Sequence, residues 1–208
     1  METLSLLGVA LGFATLSGIN LYLTTFLAGM AIRFNWLDLA EKYDSLAILA
    51  NPWIIGVAGV LFLLEFFADK IPWLDSSWDA IHTFIRPVGG TLLALAALGE
   101  MDPAIAVIAA LLSGGTTLLT HATKASSRLL INMSPEPVSN VVASLGEDGV
   151  VIAGLGLMVF APVAAFFVFL AVVIIAVWLS RKTFGTIRRG WITLRNKNKA
   201  VPPTAGSQ

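Results

Sequence analysis

Apolar and polar positions fall along this chain in long blocks, without the short alternation of strands, so the pattern predicts membrane helices. A first apolar run extends from about Leu4 to Ile32, longer than the roughly 20 residues a simple span needs. Ser17-Gly18-Ile19-Asn20 interrupts it near the middle, which predicts one tilted span, a broken span or a re-entrant pair of half-helices. After the polar stretch FNWLDLAEKYDS, Asn51-Pro52 opens a second run to about Phe67; proline suits a first helical turn. The segment ADKIPWLDSSWDAIHTFIRP reads as an interfacial loop, because Trp favours the headgroup level. A short third run, Pro87 to Leu98, follows it.

Glu100-Met101-Asp102-Pro103 makes a tight connection to the fourth run, Ala104 to about Ala122. A polar region of amphipathic character, HATKASSRLLINMSPEPVSN, comes next, and Glu147-Asp148-Gly149 precedes the last apolar block, Val150 to Leu179. Those 30 residues would measure about 45 Å as one helix, and Pro162 either kinks the block or divides it into two spans. Division gives six transmembrane segments with both ends cytoplasmic; a single span gives five. The opening METLSLLG is acidic and lacks a separate cleavage region, and reads as part of the first membrane segment.

One motif occurs twice. Residues 10–24, ALGFATLSGINLYLT, and residues 106–120, AVIAALLSGGTTLLT, share seven identities in fifteen positions at a constant offset of 96. Each copy sets Ser-Gly and hydroxyl or amide groups inside an apolar stretch. Gly-interrupted apolar segments in corresponding halves of a membrane protein point to a substrate site. The expected fold is therefore an all-α integral membrane protein, about six spans in two inverted repeats (about 4–100 and 103–180), each with a broken or re-entrant helix at its Ser-Gly motif. Residues 1–180 form the single membrane domain.

Composition agrees. Of 208 residues 57% are hydrophobic and 12% charged, against about 25% charged in soluble domains. There is no cysteine, which excludes disulfides, thiolate catalysis and Cys-based metal sites. Net charge is zero but uneven. Residues 181–199 carry seven Lys/Arg and no acid, with Phe184, Ile187, Trp191 and Leu194 at helical spacing. That pattern predicts a basic amphipathic tail on an anionic lipid surface, cytoplasmic by the positive-inside rule, with 200–208 disordered. The location expected is the bacterial inner membrane.

Candidate substrate-binding residues are Ser17, Gly18, Asn20 and Thr24 in the first motif and Ser113, Gly114, Thr116 and Thr120 in the second. A broken membrane helix frees backbone groups that protein, ligand or cavity water must satisfy, and a half-helix N-terminus offers N–H groups to an anion. Close helix packing through small residues is the alternative reading. Arg86, Lys124 and Arg128 could attract an anionic group, Arg bidentately. Glu65 lies within the apolar run LLEFFA with Asp69 at i+4, and an ionisable group inside a span is a functional candidate by default. Glu65, Asp69 and His121 are the expected ion-coupling residues. His82 has no evident partner, and Asp75 and Asp79 match no defensible metal spacing.

GFATLSGINLYLT, LLEFFADKIPWLDSSWDAIHTFIRPVGG and LLSGGTTLLTHATKASSRLLIN together resemble an uncharacterised bacterial family of multi-spanning membrane proteins, a domain of unknown function, over about residues 4–180. The resemblance implies a membrane protein with no settled activity and assigns no residue a role. The small inverted-repeat plan is also similar in outline to polyprenyl-phosphate flippases and small secondary transporters.

The chain has no phosphate-binding loop, HExxH or GxSxG, so neither an enzyme nor a cofactor is expected. The reading is a secondary transporter or lipid flippase for an anionic or lipid-phosphate substrate, coupled to protons or sodium. Membrane lipids and a second copy of the chain are its expected partners, and nucleic acid is not. The alternatives are a non-transporting scaffold, a membrane subunit of a complex, or an ion channel.

Overall fold

The computed structural model describes residues 2–36, 44–132 and 137–199, with side chains placed as far as Lys182. All regular structure in these residues is helical: α1 (Glu2–Arg33), a 3-10 helix (Asp44–Ala50), α2 (Pro52–Ala68), α3 (Pro72–Leu98), α4 (Pro103–Asn132), α5 (Pro137–Phe160) and α6 (Pro162–Lys199). Five of them, α1 and α3 to α6, are long and apolar enough to cross a membrane. The 3-10 helix and α2 form a pair bent by 65° that raises the number to six if taken as one span. The protein is thus a multi-spanning membrane protein. Leu63, Leu64 and Phe67 are exposed while their neighbour Glu65 is fully buried, the reverse of a water-soluble helix.

Prolines mark the boundaries. Pro52 and Pro72 occupy first helical turns, where the missing N–H costs nothing, and Pro137 and Pro162 open α5 and α6. Pro162 thus divides the last apolar block in two, as the six-span reading expected. Two expected boundaries are absent. The Trp-rich stretch after Ile71 is helix, and α3 runs through Pro87 to Leu98. Glu147 and Asp148 also lie inside a helix, since α5 begins ten residues earlier than Glu147, at Pro137. In both cases inward-facing polar side chains are held by partners on neighbouring helices, so polarity does not end the span.

The first Ser-Gly motif does break its helix. Asn20 leaves helical geometry (φ −148°, ψ 97°), and its Oδ1 accepts from the backbone N–H of Leu23 at 2.9 Å. This is an N-cap in the middle of α1. Gly12 abuts Met158 and Leu16 abuts Gly154, and Asn20 reaches Asp148. Beyond Asn20 the contacts climb again, with Leu27, Ala28 and Ala31 lining one cavity with Ile152, Leu155 and Gly156. The chain therefore turns back at Asn20.

Because α1 turns back, both its ends lie at the far face of the bundle, with Leu98 and Pro162. The turns near Pro72 and Asn132 lie at the opposite face, where Asn132 bonds Pro72 and Asp75. On this path Glu2 and Lys182 lie at opposite ends of the bundle.

The second motif differs from the first. It lies within α4, which continues as helix from Pro103 to Asn132. The Thr117 hydroxyl lies 2.8 Å from Ala14 O and 2.9 Å from Ser113 O, that of Thr120 lies 3.1 Å from Thr116 O, and Thr116 stands where Asn20 stands in the first copy. The helix continues through Thr116 with no new start there. The two motifs also run in the same direction, with Ala14 beside Thr117 and Gly18 beside Thr120. An inverted repeat would oppose them. Gly18 and Gly90 permit this contact, since a Cβ on either would strike Thr117 or Thr120.

The expected tail keeps helical backbone to Lys199. Its side chains beyond Lys182, and residues 200–208, lie outside the described residues.

Candidate functional site: a buried ionic network beside a broken helix

Helical periodicity brings the charges together. Asp75, Asp79, His82 and Arg86 share one face of α3, Lys124 and Arg128 one face of α4, and Asn140, Ser144 and Asp148 one face of α5, by the i, i+3/i+4 rule. All but Asp148 are buried. Glu65 and Asp69 join them from the end of α2.

Glu65 pairs with Arg86 and, at 3.2 Å, with Lys124. Lys124 Nζ also lies 3.3 Å from Glu147 and 3.7 Å from Asp69. Arg128 grips Glu147 bidentately (3.0 and 2.9 Å) and Asp69 at 3.0 Å. Arg86 stands 3.7 Å from Asp79. Its second amino group donates to the carbonyl of Gly18 at 3.0 Å, one of the acceptors freed by the break in α1. On the other side of the break, Asn20 Nδ2 donates to Asp148 Oδ1 at 3.1 Å, where the start of the second half-helix adds partial positive charge.

Both histidines are held by neutral hydrogen-bond patterns. His121 Nδ1 accepts from Arg86 at 2.9 Å, so the proton sits on Nε2, which donates to Asp79 O at 3.1 Å. His82 is the mirror case. Its Nδ1–H donates to Trp78 O, and its Nε2 accepts from Tyr22 (both 2.7 Å). At the rim, Lys70 donates to Phe66 O at 2.7 Å and covers the Phe66 ring. Partial burial lowers its pKa, against the opposing pull of Asp69 and Asp148.

Six carboxylates (Glu65, Asp69, Asp75, Asp79, Glu147, Asp148) thus face three buried cations (Arg86, Lys124, Arg128), and Lys70 at the rim leaves acids in the majority. Among the described residues Glu65 Oε2, Asp69 Oδ1 and Asp75 Oδ1 are buried without a hydrogen-bond partner, as are the side chains of Asn140 and Ser144. Taking charge out of water costs several kcal/mol per ion unless it is compensated, so surplus buried carboxylates call for protons or cations. No group of three or more His, Cys, Asp or Glu among the described residues is arranged to hold a metal ion.

Of the residues expected from sequence, Asn20, Glu65, Asp69, Arg86, His121, Lys124 and Arg128 meet in this network. Gly18 joins through its carbonyl, and Thr24 bonds Asn20 O at 2.7 Å. Ser17 and Thr120 are buried at the seam of α1, α3 and α4. Gly114 faces Thr91, and Ser113 and Thr116 border a separate apolar groove with Leu112 and Ile108. These three do not reach the network. Sequence reasoning missed Tyr22, Asn140, Glu147 and Asp148, and gave Asp79 and His82 no partner. The signal available was the spacing of polar positions at i, i+4, i+7 and i+11 along α3.

A family model described as "Domain of unknown function (DUF4126)" matches residues 7–182. The chain belongs to that family. No curated protein and no solved structure matches it.

Proposed function

We propose that this protein is a small secondary transporter of the bacterial inner membrane in which the buried network couples substrate movement to protons. One observation carries the reading: a surplus of buried carboxylates packed against a helix that breaks and turns back inside the bundle. A break supplies backbone groups that a substrate can use, and intramembrane carboxylates typify proton relays. The basic stretch 181–199 forms the end of α6, and the positive-inside rule takes that end as cytoplasmic.

The anionic or phosphate-bearing substrate expected from Arg86, Lys124 and Arg128 loses its main support, because each of those cations already carries carboxylate partners. Protons and cationic groups suit the surplus acids.

The test is charge movement in proteoliposomes on a solid-supported membrane. Amines, inorganic anions, sugar phosphates and polyprenyl phosphates would be applied with and without a pH gradient. The reading expects a substrate-induced current that depends on the gradient and is lost in Glu65→Gln. A folded protein with no gradient-dependent current for any compound would overturn it and favour the scaffold.

A further inference from the structure

A groove of about 560 Å³ opens sideways from the bundle between α4, α5 and α6. Its walls are apolar, with Ile19, Val150, Val172, Ile175, Ala176 and Leu179, while Thr120, Thr123, Ser127, Lys124 and Glu147 form a polar end. It is thus an amphipathic crevice whose charged end belongs to the buried network. Its remaining hydrogen-bonding capacity decides what fits.

The donors there are spent. Lys124 has three N–H bonds and three carboxylates in reach, Glu65, Asp69 and Glu147. The hydroxyl protons of Thr120, Thr123 and Ser127 go to backbone carbonyls of their own helix, Thr116 O, Leu119 O and Lys124 O. Acceptors remain, in the lone pairs of those three hydroxyl oxygens and in the Glu147 carboxylate. Glu147 is also more accessible than the cations it pairs with, its side chain 18% exposed against 3% for Lys124 and 1% for Arg128. An acceptor-rich end on a cluster with surplus carboxylates selects a donor-rich, positively charged head.

We propose that this groove binds a membrane-dissolved amphiphile with a protonated primary amine head, the ammonium meeting Glu147 and the hydroxyls and the apolar body lying along α6. The proposal rests on the transporter reading, for which it names the substrate class. An ammonium entering the cluster supplies the charge that a proton otherwise supplies, so the two would exchange. A phosphate head finds no free donor and meets Glu147 as a like charge.

The experiment is equilibrium binding of radiolabelled octylamine to the protein in nanodiscs, corrected for empty nanodiscs, with octyl phosphate and octanol as competitors. Saturable octylamine binding that octyl phosphate does not displace is expected. Glu147→Gln should weaken it about tenfold or more, the worth of a charge-assisted hydrogen bond. Since Glu147 also holds Arg128, Gly146→Trp is the second variant. Gly146 lines the groove and has open space around it, so an indole there should block binding without disturbing the network. Binding that is non-saturable, indifferent to both variants, or stronger for octyl phosphate overturns the proposal. Absent amine binding with a gradient-dependent current for another compound refutes the amine assignment alone; absence of every current refutes the transporter.

Discussion

Asn20 Nδ2 and Asp148 Oδ1 lie 3.1 Å apart, joining the break in α1 to the middle of α5. The same Asn20 side chain caps the second half-helix through Leu23 N. One amide therefore ends one helix, starts the next and ties the turn to the buried acids. The break and the ionic network are one structure: Arg86 holds the carbonyl side through Gly18, and Asn20 holds the amide side.

Replacing Asn20 tests that double role. Asn20→Ala removes the cap, worth about 1 kcal/mol, and leaves Asp148 without the bond from Nδ2. Asn20→Ser keeps a capping oxygen but not the reach to Asp148, so stability should fall in the order wild type, Ser, Ala. Thermal unfolding of detergent-purified protein reads the order directly. An Ala variant as stable as wild type would show that the amide does not hold the turn.

The turn at Asn20 makes a topological prediction, and the absence of cysteine makes single-cysteine labelling clean. Thr3→Cys, Phe34→Cys and Asp102→Cys should react with a membrane-impermeant maleimide from one side. Ser77→Cys and Arg181→Cys should react from the other. Labelling of positions 3 and 34 from opposite sides would mean that α1 crosses.

Much of this was legible in sequence. The first apolar run was too long for a simple span, and Asn20 at its centre marked the break, because asparagine caps helices readily. Glu65 inside LLEFFA announced a buried ion. The second motif misled, since sequence identity at an offset of 96 carries no information on whether the helix breaks at that position, as at Asn20, or runs on, as through Thr116. The inverted repeat rested on that identity. Pro87 read as a helix start because its side chain forbids a backbone donor, but in a membrane bundle neighbouring groups can take up the freed carbonyl. Which acids meet which bases depends on packing between α2, α4 and α5, and no local pattern encodes that.

Close packing at the motif seam should be intolerant of a single methyl group. A Cβ on Gly18 would run into Thr120 Oγ1 and the Thr117 carbonyl, so Gly18→Ala should cost about 1–3 kcal/mol. Gly115, on the same helix as those threonines, has nothing within 4 Å of a built Cβ. There alanine should be neutral or stabilising by up to about 1 kcal/mol, the helix-propensity difference. Denaturation of both variants under one condition separates them; equal effects would mean that α1 and α4 are not in contact at Gly18.

The two histidines should carry their protons on opposite ring nitrogens. His121 receives a hydrogen bond from Arg86 on Nδ1, and a guanidinium can only donate. That nitrogen must be bare, which leaves the proton on Nε2, facing Asp79 O. At His82 the carbonyl of Trp78 can only accept, so Nδ1 is protonated and Nε2 takes the Tyr22 hydroxyl proton. Ring nitrogen shifts from ¹⁵N-histidine NMR, assigned with His82→Gln and His121→Gln, should therefore report an Nε2–H tautomer at position 121 and Nδ1–H at position 82. Tyr22→Phe should disturb the second signal and not the first. A doubly protonated His121 at neutral pH would place a cation against Arg86, so finding one would mean that the Arg86–His121 contact does not exist and that His121, as the sequence first indicated, carries the coupling proton.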